Sequence, residues 1–126
     1  MTKPTVAILG ASTNRQKFGN ISLRAHLQQG YTVYPVNPRA ETIEELKCFA
    51  SLAEIPETHL DRISVYLPPG LLVAELDLIA ETSHTQLWLN PGTESPEVLQ
   101  RAAELDLKPI QGCSIVDLGI SPSDVE

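Results

Sequence analysis

Cysteine is scarce, long apolar runs are missing and acid outnumbers base, and each shortage removes a class of answer. The 126-residue chain holds two cysteines, Cys48 and Cys113, far apart and without CxxC spacing. A domain of this length needs no covalent staple, so both read as reduced thiols, the state expected in a cytoplasm. The opening apolar run, Thr5 to Leu9, is too short for a membrane span or a signal peptide, and no targeting segment is visible. Nine Lys and Arg against sixteen Asp and Glu leave a formal net charge of −7, which would repel a phosphate backbone or an anionic membrane surface. His26, His59 and His84 lack ligand spacing, which disfavours a metal site. Length for a second domain is also missing: at ~100–200 residues per domain, one unit over 1–126 uses the whole chain. One site is therefore expected to do all the work, with a small-molecule ligand as partner; a homodimer or a partner protein stays open.

What is present is an ordinary foldable composition, 42% hydrophobic and 20% charged. Its acids crowd between Glu41 and Glu81, while Lys3, Arg15, Lys17, Arg24 and Arg39 lie in the first third, so an anionic ligand would be met near the N-terminus. Apolar runs alternate with helical patterns. Thr5 to Leu9 suits a central parallel strand covered on both faces. Asn20 suits an N-cap for a helix carrying Ile21, Leu23 and Leu27 and ending at Gly30. Tyr31 to Val36 is β-branched and aromatic and predicts a second strand, closed by Asn37-Pro38. Glu41 to Phe49 fits a short helix or an irregular loop. Ile63, Val65 and Leu67 alternate with Arg62, Ser64 and Tyr66, which predicts a strand at a sheet edge. Pro68-Pro69-Gly70 opens a helix to about Ser83, and Gln86 to Leu89 is a fourth strand. Ser95-Pro96 starts a further helix with Ser as cap and Pro at the first helical position. Leu107 to Ile110 is a fifth strand, kept to an edge by Pro109. The sum is an α/β fold with a doubly wound, parallel five-stranded sheet, for which the order 3-2-1-4-5 is expected.

Ligands of such sheets bind beyond the carboxyl ends of the strands. Of those ends, Gly10 to Gly19 is the informative one, because glycine there lets phosphates approach backbone amides at a helix start. The GxGxxG fingerprint is not met: counting from Gly10, Ser12 and Arg15 occupy the other two glycine positions. The second strand ends in Asn37 rather than the acid that would hold an NAD ribose, which disfavours plain NAD binding. Arg15, Lys17 and Arg39 offer charge for a nucleotide with an extra ribose phosphate. From these residues alone a solvated loop with incidental charges remains the competing reading.

Gly10-Ala11-Ser12 with Lys17-Phe18-Gly19, then Val33 to Pro38, Ser51 to Pro56, Leu67-Pro68-Pro69, Leu87 to Gly92 and Cys113 occur in an order and spacing that resemble the small single-domain branch of the CoA-binding domain proteins. The resemblance runs from about Val6 to Val116. It implies a Rossmann-like fold related to the CoA-binding domain of the succinyl-CoA synthetase α subunit and of ADP-forming acyl-CoA synthetases. It also implies positions for the ligand, CoA or acyl-CoA. Gly10, Ala11 and Ser12 through Gly19 would wrap the diphosphate, with Ser12 and Lys17 as side-chain donors. Val36, Asn37 and Pro38 would border adenine and ribose, with Arg39 on the 3′-phosphate. Leu67, Pro68 and Pro69 would line the next wall, and Asn90, Pro91 and Gly92 would lie nearer the pantetheine arm. The stretch from Ala40 to Ala50 departs from the family's glycine-containing connection, and Asn90 stands where Gln is commoner. No His or Asp is placed by sequence to activate Cys113, so it reads as structural. The function expected is a CoA or acyl-CoA binding module without catalysis of its own. A small NADP(H)-dependent oxidoreductase and a ligand-less interaction domain are the alternatives.

Overall fold

The computed structural model describes residues 2–126. Its main sheet is built of five parallel strands, β1 (Thr5–Leu9), β2 (Thr32–Val36), β5 (Leu60–Val65), β6 (His84–Leu89) and β7 (Ile110–Gln111). A separate hairpin pairs β3 (Thr42–Ile43) with β4 (Leu46–Lys47). The order across the main sheet is β2-β1-β5-β6-β7. Helices α1 (Phe18–Gln28), α2 (Pro69–Glu81), α3 (Pro96–Glu104) and the short α4 (Ser114–Asp117) complete the fold.

Side-chain alternation along the strands divides the core. Ala7, Leu9, Ile63, Val65, Leu87 and Leu89 face α2 and α3, where Leu72, Leu76, Ile79 and Val98 meet them. Val6, Ile8 and Val33 face the other way, with Leu23 of α1. Burying each of these large aliphatic side chains contributes about 1.5–3 kcal/mol. The doubly wound, Rossmann-like architecture is the expected one; the strand order is not. The third principal strand, β5, lies between β1 and β6 rather than at an edge beyond β2. Its alternation misled because the polar positions face protein. Arg62 and Ser64 are buried beneath α4, where Arg62 meets Asp117 and Ser64 Oγ lies 2.7 Å from Ser114 Oγ. Arg62 is further sandwiched between the rings of Tyr31 and Trp88, 5.5 and 5.3 Å from their centroids.

Three local corrections follow. Helix α1 starts before Asn20: Lys17 holds the N-cap position in extended conformation without a side-chain cap, and Asn20 is buried in the first turn. Residues 42–47 form a hairpin rather than a helix or irregular loop. Its turn residues Glu44 and Glu45 sit at φ 51° and 68°, a conformation that Asn-Gly normally announces. Pro109 precedes β7 instead of interrupting it. Beyond Ile120 the chain lies on α1, with Gln28 Nε2 donating to the Glu126 main-chain oxygen at 3.0 Å. Ser95 caps α3 as expected, its Oγ accepting from the Val98 amide at 3.1 Å.

Candidate functional site

The strand order reverses at β1: β2 lies on one side and β5, β6 and β7 on the other. Crevices open at such a reversal because consecutive loops leave the sheet in opposite directions. A cavity of about 1260 Å³ occupies this place, walled by the loops after β1, β2, β5 and β6. That exceeds the range of ordinary small-ligand pockets, ~300–1,000 Å³, and suits an extended ligand.

The loop after β1 is shaped by glycine at two points. Gly10 sits at φ +90°, and a Cβ there would stand 2.9 Å from the Tyr66 carbonyl carbon. A Cβ on Gly19 would stand 2.5 Å from the Gly10 carbonyl oxygen, so α1 can begin against the strand end only because Gly19 has none. Gly19→Ala is therefore expected to cost about 2 kcal/mol, since the obstacle is backbone and cannot rotate away. Urea unfolding checks this, and a loss under about 0.5 kcal/mol, the range of neutral surface changes, would refute it.

Between the glycines the chain satisfies itself locally. The Gly10 and Ala11 amides both donate to the Val36 carbonyl, at 3.1 and 3.2 Å. Ser12 Oγ accepts from the Asn14 amide and Asn14 Oδ1 from the Gln16 amide, each at 3.0 Å. The Phe18 and Gly19 amides, at the start of α1, find no acceptor among the described residues, and the first turn holds no acid. Orphan amides at the positive end of a helix are an anion seat. Lys17 and Arg39 line the same cavity, and neither enters an ion pair among the described residues.

The structure brings all the residues named from the sequence to this cavity except Arg15 and Pro69. Gly10, Ala11, Ser12, Lys17, Phe18 and Gly19 come from the first loop, and Val36, Asn37, Pro38 and Arg39 from the second. Leu67 and Pro68 follow β5, and Asn90, Pro91 and Gly92 follow β6. Pro69 is the first residue of α2. Arg15 points its guanidinium at Glu44, 3.4 Å away. Residues not anticipated as part of the site include Ala50, Ser51, Tyr66, Leu71, Glu75, Thr93 and Pro122. Phe18 and Leu71 make the rim apolar, at 56% and 60% exposure.

Two of the lining asparagines hold the scaffold with their side chains. Asn37 donates Nδ2 to the Ala11 carbonyl at 2.9 Å and accepts the Arg39 amide at 2.8 Å, tying the first loop to the second. Asn90 donates to Ser64 Oγ and the Val65 carbonyl and accepts the Ser114 amide, all within 2.9 Å. Tyr66 borders the cavity with its hydroxyl 3.2 Å from Ser114 Oγ, and burial raises its pKa, so it stays protonated at neutral pH. Cys113 lines the wall half-buried, while Cys48 is buried away from the cavity, its thiol pushed up by desolvation. None of the histidines reaches the cavity. No cluster of three or more His, Cys, Asp or Glu able to hold a metal occurs among the described residues, nor any helix long and apolar enough to cross a membrane.

A family profile described as "CoA binding domain" matches residues 4–119. The chain belongs to the CoA-binding domain family. This CoA-binding domain is 30% identical over 119 residues to an ADP-forming acetate–CoA ligase II of Archaeoglobus fulgidus, covering 93% of this chain. It spans only 14% of that ligase's length. Among solved structures it resembles a conserved hypothetical protein of Pyrococcus furiosus, 32% identical with a TM-score of 0.80 over 92% of this chain and 99% of that one. A Thermus thermophilus protein matches at 29% identity and a TM-score of 0.81, over 91% and 87% of the two chains. The stretch of the CoA-binding domain matched by the family stops short of Pro122, so the tail residue at the cavity lies outside it.

Proposed function

We propose that this CoA-binding domain takes CoA or an acyl-CoA in the crevice and carries out no chemistry on it, acting as a sensor, store or accessory subunit. One observation carries the reading: the orphan amides that open α1 share a cavity of about 1260 Å³ with two cations, Lys17 and Arg39, that enter no ion pair among the described residues. CoA presents a diphosphate, a ribose 3′-phosphate and a long pantetheine arm. The glycine-shaped loop admits the first, Arg39 suits the second, and the remaining length with its apolar rim suits the third. Activation of a thiol or a bound acyl group would need a base at the cavity; no histidine is among its lining residues, and Glu75 is the single carboxylate among them.

Thermal unfolding with added ligand tests the reading. At a hundredfold excess of CoA over its dissociation constant, stability is expected to rise by about 2.7 kcal/mol. Dephospho-CoA is expected to bind more weakly, by a margin that disappears in Arg39→Ala. Absence of stabilisation by millimolar CoA or acyl-CoA overturns the proposal. Protection by NADP(H) alone would point to a reductase instead. Binding unchanged in a Lys17→Ala, Arg39→Ala double variant would count against the placement of the phosphates.

A further inference from the structure

We propose that Glu44 is a charge gate for the phosphate loop, holding Arg15 out of the crevice until a polyphosphate ligand draws the guanidinium in. The inference rests on the reading above that such a ligand occupies the crevice, and it names the residue that sets how much negative charge is needed for entry.

The hairpin tip is the strained part of the second connection. Glu44 and Glu45, consecutive and neither glycine nor asparagine, both adopt positive φ, at 51° and 68°. Side chains avoid that region unless the surroundings hold them there, and such residues gather where their placement serves the site. The hairpin is pinned by Ile43, 1% exposed, and by the Cys48 amide donating to the Glu41 carbonyl at 2.8 Å. The strain delivers one carboxylate to the back of the first loop. Glu44 Oε2 accepts from Asn20 Nδ2 at 3.2 Å, and Oε1 lies 3.4 Å from Arg15 Nε.

The two partners of this ion pair are held unequally. Asn20 is fully buried, and the nitrogen that reaches Glu44 also donates to the Ser12 carbonyl at 2.8 Å, while its oxygen accepts from Arg24 Nε at 2.7 Å. Glu44 is thus fixed from behind. Arg15 is fixed only by its backbone, whose carbonyl accepts from Arg24; its side chain is 60% exposed. At 3.4 Å its contact with Glu44 is longer than a good N–H···O bond, and exposed pairs of this kind are weak. A phosphate offers the guanidinium two short, charge-assisted bonds instead. Ser12, Gln16 and Lys17, on either side of Arg15, already line the cavity, and the gate needs only the Arg15 side chain to turn toward them. Glu45 is the internal control, because it shares the turn and the charge but contacts neither Arg15 nor Asn20.

Calorimetric titration of the whole chain with CoA and, separately, with inorganic pyrophosphate tests the gate at one ionic strength. Glu44→Gln is expected to bind both ligands about three- to tenfold more tightly. Glu45→Gln is expected to change binding less than about twofold, and the gain from Glu44→Gln is expected to vanish in an Arg15→Gln background. Weaker or unchanged binding by Glu44→Gln overturns the gate. So does an equal gain from Glu45→Gln, or one that persists without Arg15, because either would make Glu44 one more negative charge. Should Glu44→Gln fail to fold, Glu44→Asn, which tolerates positive φ, replaces it in the same comparison. If the wild-type chain takes pyrophosphate but not CoA, the CoA reading fails and the pyrophosphate series still decides the gate; if it takes neither, both fall.

Discussion

Asn90→Ala is expected to lower the stability of this domain by about 4 kcal/mol, among the largest losses a single substitution can cause here. The side chain is 1% exposed and satisfies groups from two elements: the Val65 carbonyl at the end of β5 and the Ser114 amide at the start of α4. Truncation leaves both backbone groups buried and unpaired, at roughly 1–3 kcal/mol each, and opens a void between them. Ser64 Oγ keeps a second partner in Ser114 Oγ, 2.7 Å away, so its share of the loss is small. Asn90→Asp is expected to do no better at pH 7. It keeps an acceptor for the Ser114 amide but turns an unprotonated oxygen toward the Val65 carbonyl and buries a charge. Urea midpoints with an unchanged m-value measure the effect, and a loss below about 1 kcal/mol would show that water or loop movement replaces the amide. The same substitution frees α4 and therefore Cys113 from its place in the cavity wall. CoA affinity is expected to fall with stability although Asn90 presents no free polar atom to a ligand.

Asn90 also marks the boundary of what the residues alone made legible. Its position was readable because Asn-Pro-Gly ends an apolar strand, as Asn37-Pro38 ends β2; the end of β5 was not, since alternation carries the strand to Leu67 and it stops at Val65. Its role was not, because a fully bonded amide looks the same in a sequence as one waiting for a ligand; Asn37 shows the same ambiguity. The strand order failed for a related reason. Alternating polar residues signal solvent only when nothing covers them, and Arg62 and Ser64 are covered by a four-residue helix, α4, too short to leave a periodic signature. The 42–47 hairpin stayed hidden because its turn uses Glu-Glu, where turn chemistry calls for Asn or Gly. Arg15 was grouped with Lys17 on sequence proximity, and its engagement with Glu44 depends on that hairpin.

Acid is expected to destabilise the domain, with one histidine contributing over a defined window. His26 is fully buried, and desolvation is the chief cause that brings its pKa down to about 4 from 6.5. A hydrogen bond to the Ser22 carbonyl, 2.8 Å from Nδ1, and Asp117 oppose the shift, and the Arg62 guanidinium adds to it. That bond assigns the neutral ring's proton to Nδ1. Nε2 then lies buried without a partner among the described residues, and the Tyr31 ring stands edge-on 4.9 Å away. The sign of the effect follows from the order of the two pKa values. Above pH 6.5 the ring is neutral in both folded and unfolded chains, and the stability is complete. Between 6.5 and about 4 the unfolded chain takes up a proton that the folded chain refuses, so stability falls with pH; below about 4 both are protonated and this contribution stays lost. At 1.36 kcal/mol per pKa unit the loss from this group is about 3 kcal/mol. Urea unfolding of the wild type and of His26→Gln at pH 7.5 and pH 4 separates it from the carboxylates, which contribute to both proteins alike. The wild type is expected to lose about 3 kcal/mol more than the variant. Equal losses would mean that the buried ring finds a partner for its charge when protonated, with Asp117, already engaged by Arg62, the carboxylate whose charge favours it.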